Sequence, residues 1–268
     1  MTCHISPVFD QTHVAQLVII YNYNVIKNNY LLKVEATHHL MAIMTPRPLE
    51  KNKQYNDGCA AAHAMDLIGE RWALLVAREL MLGPKRFSDI KRDLHGISAN
   101  VLTQRLEELE RLGIVVRRQL PRPAAFQVYD LTEWGRELEP VFQTLGRWAV
   151  RSPFKGPGPM SVNSLMMSFA TMFNPSLAKG VTARIALTLE GEPCHVIIAR
   201  QAISAARGTI PDPDVEVTAS TEDIAELVYN GARLPDWLKR PGITVSGNPQ
   251  ILARLPDFLP MPTPANLG

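Results

Sequence analysis

One stretch constrains the fold of this chain more than any other: residues 96–113, with the sequence GISANVLTQRLEELERLG. Leu102, Leu106 and Leu109 recur at the spacing of a single α-helical face. Ser98 is well placed to cap the start of that helix, and the closing glycine suits a left-handed residue at its end. The pattern predicts an amphipathic helix whose apolar face packs into a core.

The face opposite the leucines is polar near the start of this helix. It carries two amides, a hydroxyl and a guanidinium group, on Asn100, Thr103, Gln104 and Arg105. Such groups hydrogen-bond the base edges that a DNA major groove exposes. A face that is merely solvated is the alternative, and the flanking sequence decides between the two interpretations.

The flanking sequence predicts a helix-turn-helix motif followed by a β-hairpin. Phe87–Leu94 has the pattern of a short helix, and a turn containing a glycine joins it to the helix that Ser98 caps. Beyond residue 113, Ile114–Leu120 and Phe126–Leu131 have strand patterns, and a proline-containing turn separates them. A hairpin directly after a recognition helix is a wing, whose tip lies on the sugar–phosphate backbone or in the minor groove.

The charge distribution favours the same region for DNA contact. The formal net charge of the chain is only +2, which does not by itself indicate a nucleic-acid partner. From Lys85 to Arg122, however, the sequence contains nine basic and five acidic residues. From Phe154 onward it contains nine basic and ten acidic residues. Positive charge is therefore concentrated where phosphate contacts require it. We expect four of these residues to bind phosphate: Lys91, Arg117, Arg118 and Arg122.

Helices are predicted on both sides of this motif. Ala60–Ile68 and Glu70–Leu82 precede it, and a helix over Glu133–Val150 follows, capped by Thr132. The apolar stripe of this last helix is wider than one small domain needs, and comprises Trp134, Leu138, Val141, Phe142, Leu145, Trp148 and Ala149. The stripe either packs on the hairpin and the first helix or forms a dimer interface in part. We favour the interface because a palindromic DNA site requires a two-fold symmetric protein.

Several motifs in this region occur together and in order. They are AMDLIGERW from Ala64, GPKRFSDI from Gly83, LTQRLEELE from Leu102 and YDLTEWGREL from Tyr129. In this order they closely resemble the HxlR-type winged helix-turn-helix regulators of bacteria, over nearly all of residues 55–153. The resemblance implies a homodimer that binds double-stranded operator DNA and acts as a repressor or an activator. It also implies that the helix from Ser98 to Arg111 reads the DNA.

The three cysteines indicate no disulfide framework, because they are widely spaced and odd in number. Cys59 and His63 stand four residues apart on a predicted helix, but no second pair completes a metal site, so we expect no metal. In some HxlR-type proteins a cysteine at the position of Cys59 senses oxidants or electrophiles. The sequence around Cys59 offers no basic cluster that would activate a thiol, so we favour a structural role and keep sensing as an alternative.

The C-terminal half predicts an α+β domain with a mainly antiparallel sheet. Helix patterns cover Val162–Phe173, residues 221–228 and Pro249–Phe258, with Ser220 capping the second of them, and five strand patterns lie between them. The segments PDVEVTASTEDIAELV and GITVSGNPQILARL look like the sterol carrier protein type two-like domain, over residues 181–259. That resemblance implies an apolar tunnel for lipids or other hydrophobic molecules. The Met-rich first helix either lines such a cavity or belongs to an ordinary core.

The predicted organisation is therefore α+β with two folded domains. A winged helix-turn-helix domain spans residues 55–152, a Pro/Gly linker 153–160, and the second domain 161–260, before a tail over 261–268. Residues 1–54 are expected to be a poorly ordered N-terminal extension or an artefact of start-site assignment, since Met41 and Met44 precede the first domain. No signal peptide or membrane span is expected, and a cytoplasmic protein is the default.

The sequence contains no catalytic motif, so we expect neither an enzyme nor a cofactor. We find no Ser/His/Asp ordering and no phosphate-binding glycine loop, and no pair of carboxylates stands out above chance. We predict a one-component transcription factor, a homodimer on a palindromic operator that a small hydrophobic ligand in the C-terminal domain controls. Two alternatives are a redox- or electrophile-sensing regulator that uses Cys59, with a purely structural C-terminal domain, and a lipid-binding carrier protein.

Overall fold

The computed structural model of the protein describes residues 54–121 and 126–266. All of them lie in one compact unit, Arg47–Gly268. Their buried apolar side chains form two cores, one built from residues 68–131 and one from residues 162–259. Residues 1–53 of the predicted N-terminal extension, and Arg122 at the predicted hairpin tip, lie outside the described residues.

The first core is formed mainly by four helices whose apolar faces meet. Val76, Leu80 and Ile90 are fully buried there. Leu102 and Leu106 are fully buried with them. Burial of each such side chain contributes about 1.5–3 kcal/mol. The four helices are α1 (Ala60–Ile68), α2 (Ala73–Leu80), α3 (Phe87–Asp93) and α4 (Ala99–Arg111). The sequence predicted an earlier start for α2, but Trp72 has a left-handed backbone with φ +78° and excludes it.

A β-hairpin follows α4, as the sequence predicted. Its strands, β1 (Val115–Gln119) and β2 (Gln127–Leu131), pair antiparallel. Gly113 ends the helical segment with φ +74°, a backbone conformation that glycine adopts without steric cost. The hydroxyl of Thr132 donates to the carbonyl oxygen of Gly113 at 2.7 Å and accepts from a later backbone N–H. One residue thus fastens the end of the hairpin and caps the next helix.

The helix predicted over Glu133–Val150 is in fact two helices, so that prediction was wrong. They are α5 (Glu133–Arg136) and α6 (Glu139–Ala149). Pro140 stands in the first turn of α6. It has no backbone N–H to bond the carbonyl four residues earlier, and its ring clashes with a continuous helix at that point.

The second core lies against one face of a five-stranded sheet. The strands are β3 (Ala183–Leu189), β4 (Glu192–Ala199), β5 (Ala202–Arg207), β6 (Val215–Ala219) and β7 (Thr244–Gly247). They lie in the order β5-β4-β3-β6-β7, and only the β3–β6 pair is parallel. Alternate residues of β3 and β6 are buried, as a sheet with one covered face requires. The predicted α+β class with a mainly antiparallel sheet is confirmed.

Four α-helices and a short 3₁₀ helix (Pro175–Ala178) accompany this sheet. They are α7 (Val162–Met172), α8 (Thr221–Tyr229), α9 (Leu234–Trp237) and α10 (Gln250–Phe258). Leu165, Met166 and Phe169 of α7 are essentially inaccessible, so most of the Met-rich helix is ordinary core. Trp237 is also fully buried and donates its indole N–H to the carbonyl oxygen of Asp223 at 2.7 Å.

Candidate nucleic-acid interface

Helix α4 presents a polar face to solvent at its N-terminal end. The hydroxyl oxygen of Ser98 accepts the backbone N–H of Val101 at 3.3 Å and so caps the helix. The three leucines of its other face are buried in the first core. Asn100, Thr103 and Gln104 are exposed, as the sequence predicted. The helix therefore brings three hydrogen-bonding side chains together beside its free N-terminal turn.

Arg105 does not belong to this exposed face, and its predicted orientation was wrong. The side chain is only 4% exposed. Its guanidinium lies 2.8 Å from a carboxylate oxygen of Glu108 and 3.3 Å from one of Glu70. Residue 105 stands three positions after Leu102 and four before Leu109, so the helical period turns it toward the core side. We no longer assign it a contact with DNA bases.

Basic side chains lie on the elements that flank α4 in the chain, α3 and β1. Arg118 on β1 is well exposed, and Arg117 lies 3.1 Å from a carboxylate oxygen of Glu110. Lys91 on α3 is half-buried. Arg86 was not among the predicted phosphate contacts. It is exposed at the start of α3, and its guanidinium lies 3.2 Å from the ring centre of Phe126. Its place in the basic cluster was the available signal, and the aromatic contact fixes it beside the wing.

Lys85 was counted in the same basic cluster, but it is buried inside the protein. Its ammonium nitrogen lies 2.7 Å from an oxygen of Glu79 and 2.7 Å from an oxygen of Asp93. The backbone of Lys85 also pairs with that of Tyr129 on β2. A charge that two carboxylates neutralise in the core attracts no phosphate, so the basic character of the surface comes from the other residues.

The same carboxylates join the first core to the second. The hydroxyl of Ser161 donates to a side-chain oxygen of Glu79 at 2.7 Å, and the amide of Asn163 donates to the Glu79 carbonyl oxygen at 2.7 Å. On the surface, the guanidinium of Arg92 lies 3.0 Å from an oxygen of Glu192 on β4. These contacts connect α2 and α3 directly to the C-terminal sheet and to α7.

The ionisation of Asp93 reflects this network. Burial alone would raise the pKa of its carboxyl group, but the hydrogen bonds and charges of Lys85 and Arg92 outweigh burial and hold the pKa below its usual value. The hydrogen bond to Asp93 in turn raises the pKa of Arg92. The charged forms of Asp93 and Arg92 are therefore favoured in the folded protein.

Helix α6 leaves its apolar side uncovered. None of its eleven residues is buried. Trp148 is 73% exposed, and Val141 and Leu145 on the same helix are exposed too, as is Trp134 on α5. Arg147 on another side of α6 donates to the carbonyl oxygen of Thr171, which fixes the helix against α7. The uncovered side is thus held rigidly in place.

The two described cysteines have opposite environments. Cys59 is exposed just before α1, and the backbone N–H groups of Ala61 and Ala62 lower the pKa of its thiol. Cys194 is buried on β4, where desolvation raises its pKa to about 11. No basic cluster stands beside Cys59 in the sequence, and the N-terminal backbone N–H groups of α1 lower the pKa of its thiol instead.

Two further observations concern metals and membranes. Within residues 54–121 and 126–266, no group of three or more His, Cys, Asp or Glu side chains is arranged to hold a metal ion. The Nδ1 atom of His63, which the sequence offered as half of a metal site, lies 3.9 Å from a carboxylate oxygen of Asp66. In the same part of the chain, every helix is too short or too polar to cross a bilayer.

Comparison with known proteins gives two family matches. Residues 67–153 match the family described as HxlR-like helix-turn-helix, and residues 158–265 match the alkyl sulfatase C-terminal domain. The second match is not to the sterol carrier-like family, so that resemblance stays a prediction.

Individual relatives match the first of these regions. The HTH-type transcriptional regulator YodB of Bacillus subtilis is 44% identical over 86 residues, which are 32% of this chain and 77% of YodB. YvaP of the same organism, an uncharacterized HTH-type transcriptional regulator, is 37% identical over 86 residues, 32% of this chain and 80% of YvaP. The solved structure of reduced YodB is 40% identical, covers 38% of this chain and 100% of its own, and has a TM-score of 0.33.

Proposed function

The chain belongs to the HxlR-like helix-turn-helix family of transcriptional regulators, and we propose that it binds operator DNA as a homodimer through α4. The observation that carries this proposal is the exposed face of α4, where Asn100, Thr103 and Gln104 stand at the N-terminal end of a helix held from behind by the first core. A helix-turn-helix protein places this end of its second helix in the major groove.

The assigned contacts differ in what they contribute. The amides of Asn100 and Gln104 pair with base edges and supply sequence preference. Ser98 uses its hydroxyl oxygen as the helix cap, and its hydroxyl proton is suited to a phosphate beside the groove. Lys91, Arg117, Arg118 and Arg122 bind phosphate and position the protein, and Arg86 joins them. Phosphate contacts strengthen binding to all sequences alike.

Replacing Gln104 tests the assignment of the recognition face. In Gln104→Ala we expect the ratio of affinities for an operator and for random DNA to fall about fivefold or more, because one specific base contact contributes about 1–3 kcal/mol. Glu107→Ala, on the exposed part of the same helix one turn later, is the matched control and should keep the ratio. An unchanged ratio in Gln104→Ala would remove that residue from the recognition surface.

The dimer is proposed to form through the uncovered side of α6. Trp148, Leu145 and Val141 offer apolar area that a single chain leaves in water, and aromatic anchors of this kind dominate interface energies. A two-fold axis near α6 would present two copies of α4 to one DNA duplex. Half-sites about 34 Å apart, or a multiple of that distance, match this arrangement.

The C-terminal core is proposed to control DNA binding in response to a ligand. Its support is the direct connection between the two cores through Glu79, Ser161 and Asn163, because a ligand that changes one core then bears on the other. The sequence predicts a small hydrophobic effector for this domain.

A second candidate for the control of DNA binding is the thiol of Cys59. The specific observation in its favour is its position before α1, where it is exposed and two backbone N–H groups lower its pKa. A thiolate at a helix N-terminus is a better nucleophile toward oxidants and electrophiles near neutral pH than an ordinary thiol. Modification there would act on the first core through α1.

A further inference from the structure

A cavity of about 1240 Å³ lies at the junction of the two cores. Its wall on the DNA-binding side is formed by Arg92, Asp93 and His95, which end α3 and lead into the turn before α4. Its wall on the C-terminal side is formed by α7 and α8, and the 155–159 segment borders it. The volume is sufficient for a small organic molecule.

The interior of the C-terminal core offers less room for a ligand. The side chains that an apolar tunnel would use, including Leu165, Phe169 and Trp237, are packed together with almost no accessible surface. Protein interiors at this packing leave few voids larger than a water molecule. The junction cavity is therefore a better ligand site than the interior of the sheet-and-helix core.

Helix α7 lines the cavity with hydroxyl groups above an apolar floor. Ser164 and Ser168 recur at helical spacing on the lining, whereas the hydroxyl of Ser161 already donates to Glu79. Val162 and Met172 supply the apolar part. Here the hydroxyl of Ser168 donates to the carbonyl oxygen of Leu165 and lies 2.7 Å from the hydroxyl of Tyr229. The floor and the hydroxyls suit a ligand with both an apolar and a hydrogen-bonding part.

Helix α8 adds an acidic rim. Glu222, Ala225, Glu226 and Tyr229 follow one another at positions i, i+3, i+4 and i+7, and all four line the cavity. The carboxylates of Glu190 and Glu192 lie on the same lining. The basic residues of the lining are Arg92, which is already paired with Asp93 and Glu192, and Lys155 on the exposed 155–159 segment. Glu226 also accepts the side-chain amide of Asn230 at 2.6 Å and lies 4.0 Å from Arg240, which is not on the lining. Five carboxylates against two basic side chains, Arg92 and Lys155, leave the lining itself acidic.

We propose that the junction cavity binds a small amphipathic cation. Its ammonium group lies against Glu222 and Glu226, and its apolar part lies on Val162 and Met172. Carboxylates and hydroxyl oxygens are acceptors, and an ammonium group donates to several of them at once. An anion of the same shape is repelled by the acidic rim, and a purely apolar molecule offers Glu222 and Glu226 no donor.

The site is also placed to affect DNA binding, and this part of the inference rests on the proposed regulatory function. The carboxylate of Glu192 holds Arg92 of α3 across the junction at 3.0 Å. A cation bound at Glu222 and Glu226 adds positive charge to the lining that Glu192 shares, which weakens the attraction of Glu192 for Arg92 and the connection between α3 and β4. A ligand that favours one arrangement of the two cores in this way shifts the population with α4 set for DNA.

The first experiment locates the site with methionine methyl signals of the full-length protein. Met160, Met172 and Met261 line the cavity, whereas Met65 and Met81 belong to the first domain and lie outside it. The protein is labelled with ¹³C at its methionine methyl groups and titrated with octylammonium, octanoate or octanol, each below its micelle concentration. We expect octylammonium to shift the three cavity signals and to leave the other two in place. No shift, or an equal shift with octanoate, would overturn the proposal.

The second experiment tests the acidic rim. Calorimetry with octylammonium compares the wild type with Glu222→Gln/Glu226→Gln, and with Glu137→Gln, an exposed carboxylate outside the cavity, as the control. We expect the dissociation constant to rise about tenfold or more in the double variant and to stay unchanged in the control, because a hydrogen bond to a charged group contributes about 1.5–3 kcal/mol. Equal affinities in all three proteins would contradict the assignment.

The effector role is measured separately, as affinity for a selected DNA duplex with and without octylammonium. A change in the wild type that is lost in the double variant supports control through the cavity. Unchanged DNA affinity with intact cation binding removes the effector role. A protein that binds the cation but no DNA in either condition contradicts the proposed function and not the site.

Discussion

The ammonium nitrogen of Lys85 lies 2.7 Å from a side-chain oxygen of Glu79, and both side chains are almost completely buried. The other oxygen of Glu79 accepts the hydroxyl of Ser161, at the start of α7. Arg78 donates to the same carboxylate from the neighbouring position on α2. One buried carboxylate therefore belongs to both cores, although a long stretch containing a proline- and glycine-rich segment separates Lys85 from Ser161 in the sequence. Residues 153–160 therefore do more than link two independent domains, because the residues just after them are bonded to the first core.

Loss of the buried ammonium should destabilise the protein strongly. In Lys85→Met, Glu79 and Asp93 lose their shared cation and keep only Arg78 and Arg92. We expect the free energy of unfolding to fall by about 3 kcal/mol, the lower end of the range for a broken buried ion pair, because these two arginines still offset part of the charge. Lys239→Met is the control, because Lys239 is exposed and lies 3.7 Å from Asp236. Its effect should stay within about 0.5 kcal/mol. Urea denaturation of the two variants measures both values, and similar losses would contradict the role of burial.

Loss of an exposed arginine on the wing should reduce the salt dependence of DNA binding. For Arg118→Ala we expect weaker binding to all sequences alike and a decrease of about one in the slope of log affinity against log salt concentration. Lys179→Ala removes an exposed charge from the C-terminal region and should leave the slope unchanged. Fluorescence anisotropy over a salt series gives the slopes. The same slope in Arg118→Ala and the wild type would place Arg118 away from the phosphates.

A charge on the uncovered side of α6 should dissociate the dimer. In Trp148→Glu we expect the dimer dissociation constant to rise about thirtyfold or more, since aromatic hot spots contribute at least about 2 kcal/mol. Leu177→Glu places the same charge on an exposed apolar position of the 3₁₀ helix and should leave the dimer intact. Sedimentation velocity over a concentration series distinguishes the two. A wild type that is monomeric throughout, or two variants with equal effects, would rule out this interface.

The thiols of Cys59 and Cys194 should differ in reactivity in the same molecule. Because the pKa of Cys59 is lowered, its thiolate forms at lower pH than that of an ordinary thiol, and its alkylation rate should reach half its maximum at a lower pH than that of a cysteine in an unstructured peptide. Cys194, buried with a pKa of about 11, should remain unmodified in the folded protein. Peptide mass spectrometry after iodoacetamide treatment from pH 6 to pH 9 reports each site. Equal labelling of both residues would contradict these environments.

The parts of the fold that local pattern determines could be predicted from the sequence. The leucine period, the cap by Ser98 and the left-handed Gly113 define α4, and all three are confirmed. The hairpin and the strands of the second sheet follow from alternation in the same way. Such features depend on neighbours within a few residues, which a sequence displays directly.

The features that depend on distant partners could not be predicted. Lys85 and Arg105 look like surface charges in the sequence, and only the three-dimensional arrangement gives them Glu79, Asp93 and Glu70 as partners. The division between α5 and α6 is a local feature, because Pro140 removes one helical hydrogen bond. The predicted continuous helix gave that proline too little weight. The junction cavity requires both cores at once, so no local pattern indicates it.

Selection of DNA by the full-length protein tests the central claim most directly. Random duplexes are incubated with the purified protein, and bound sequences are recovered and read over several rounds. We expect enrichment of a two-fold symmetric site whose half-sites lie about 34 Å apart or a multiple of that distance, because two copies of α4 must enter successive major grooves. Recovery without enrichment, or of a single asymmetric half-site, would contradict sequence recognition by a homodimer through α4.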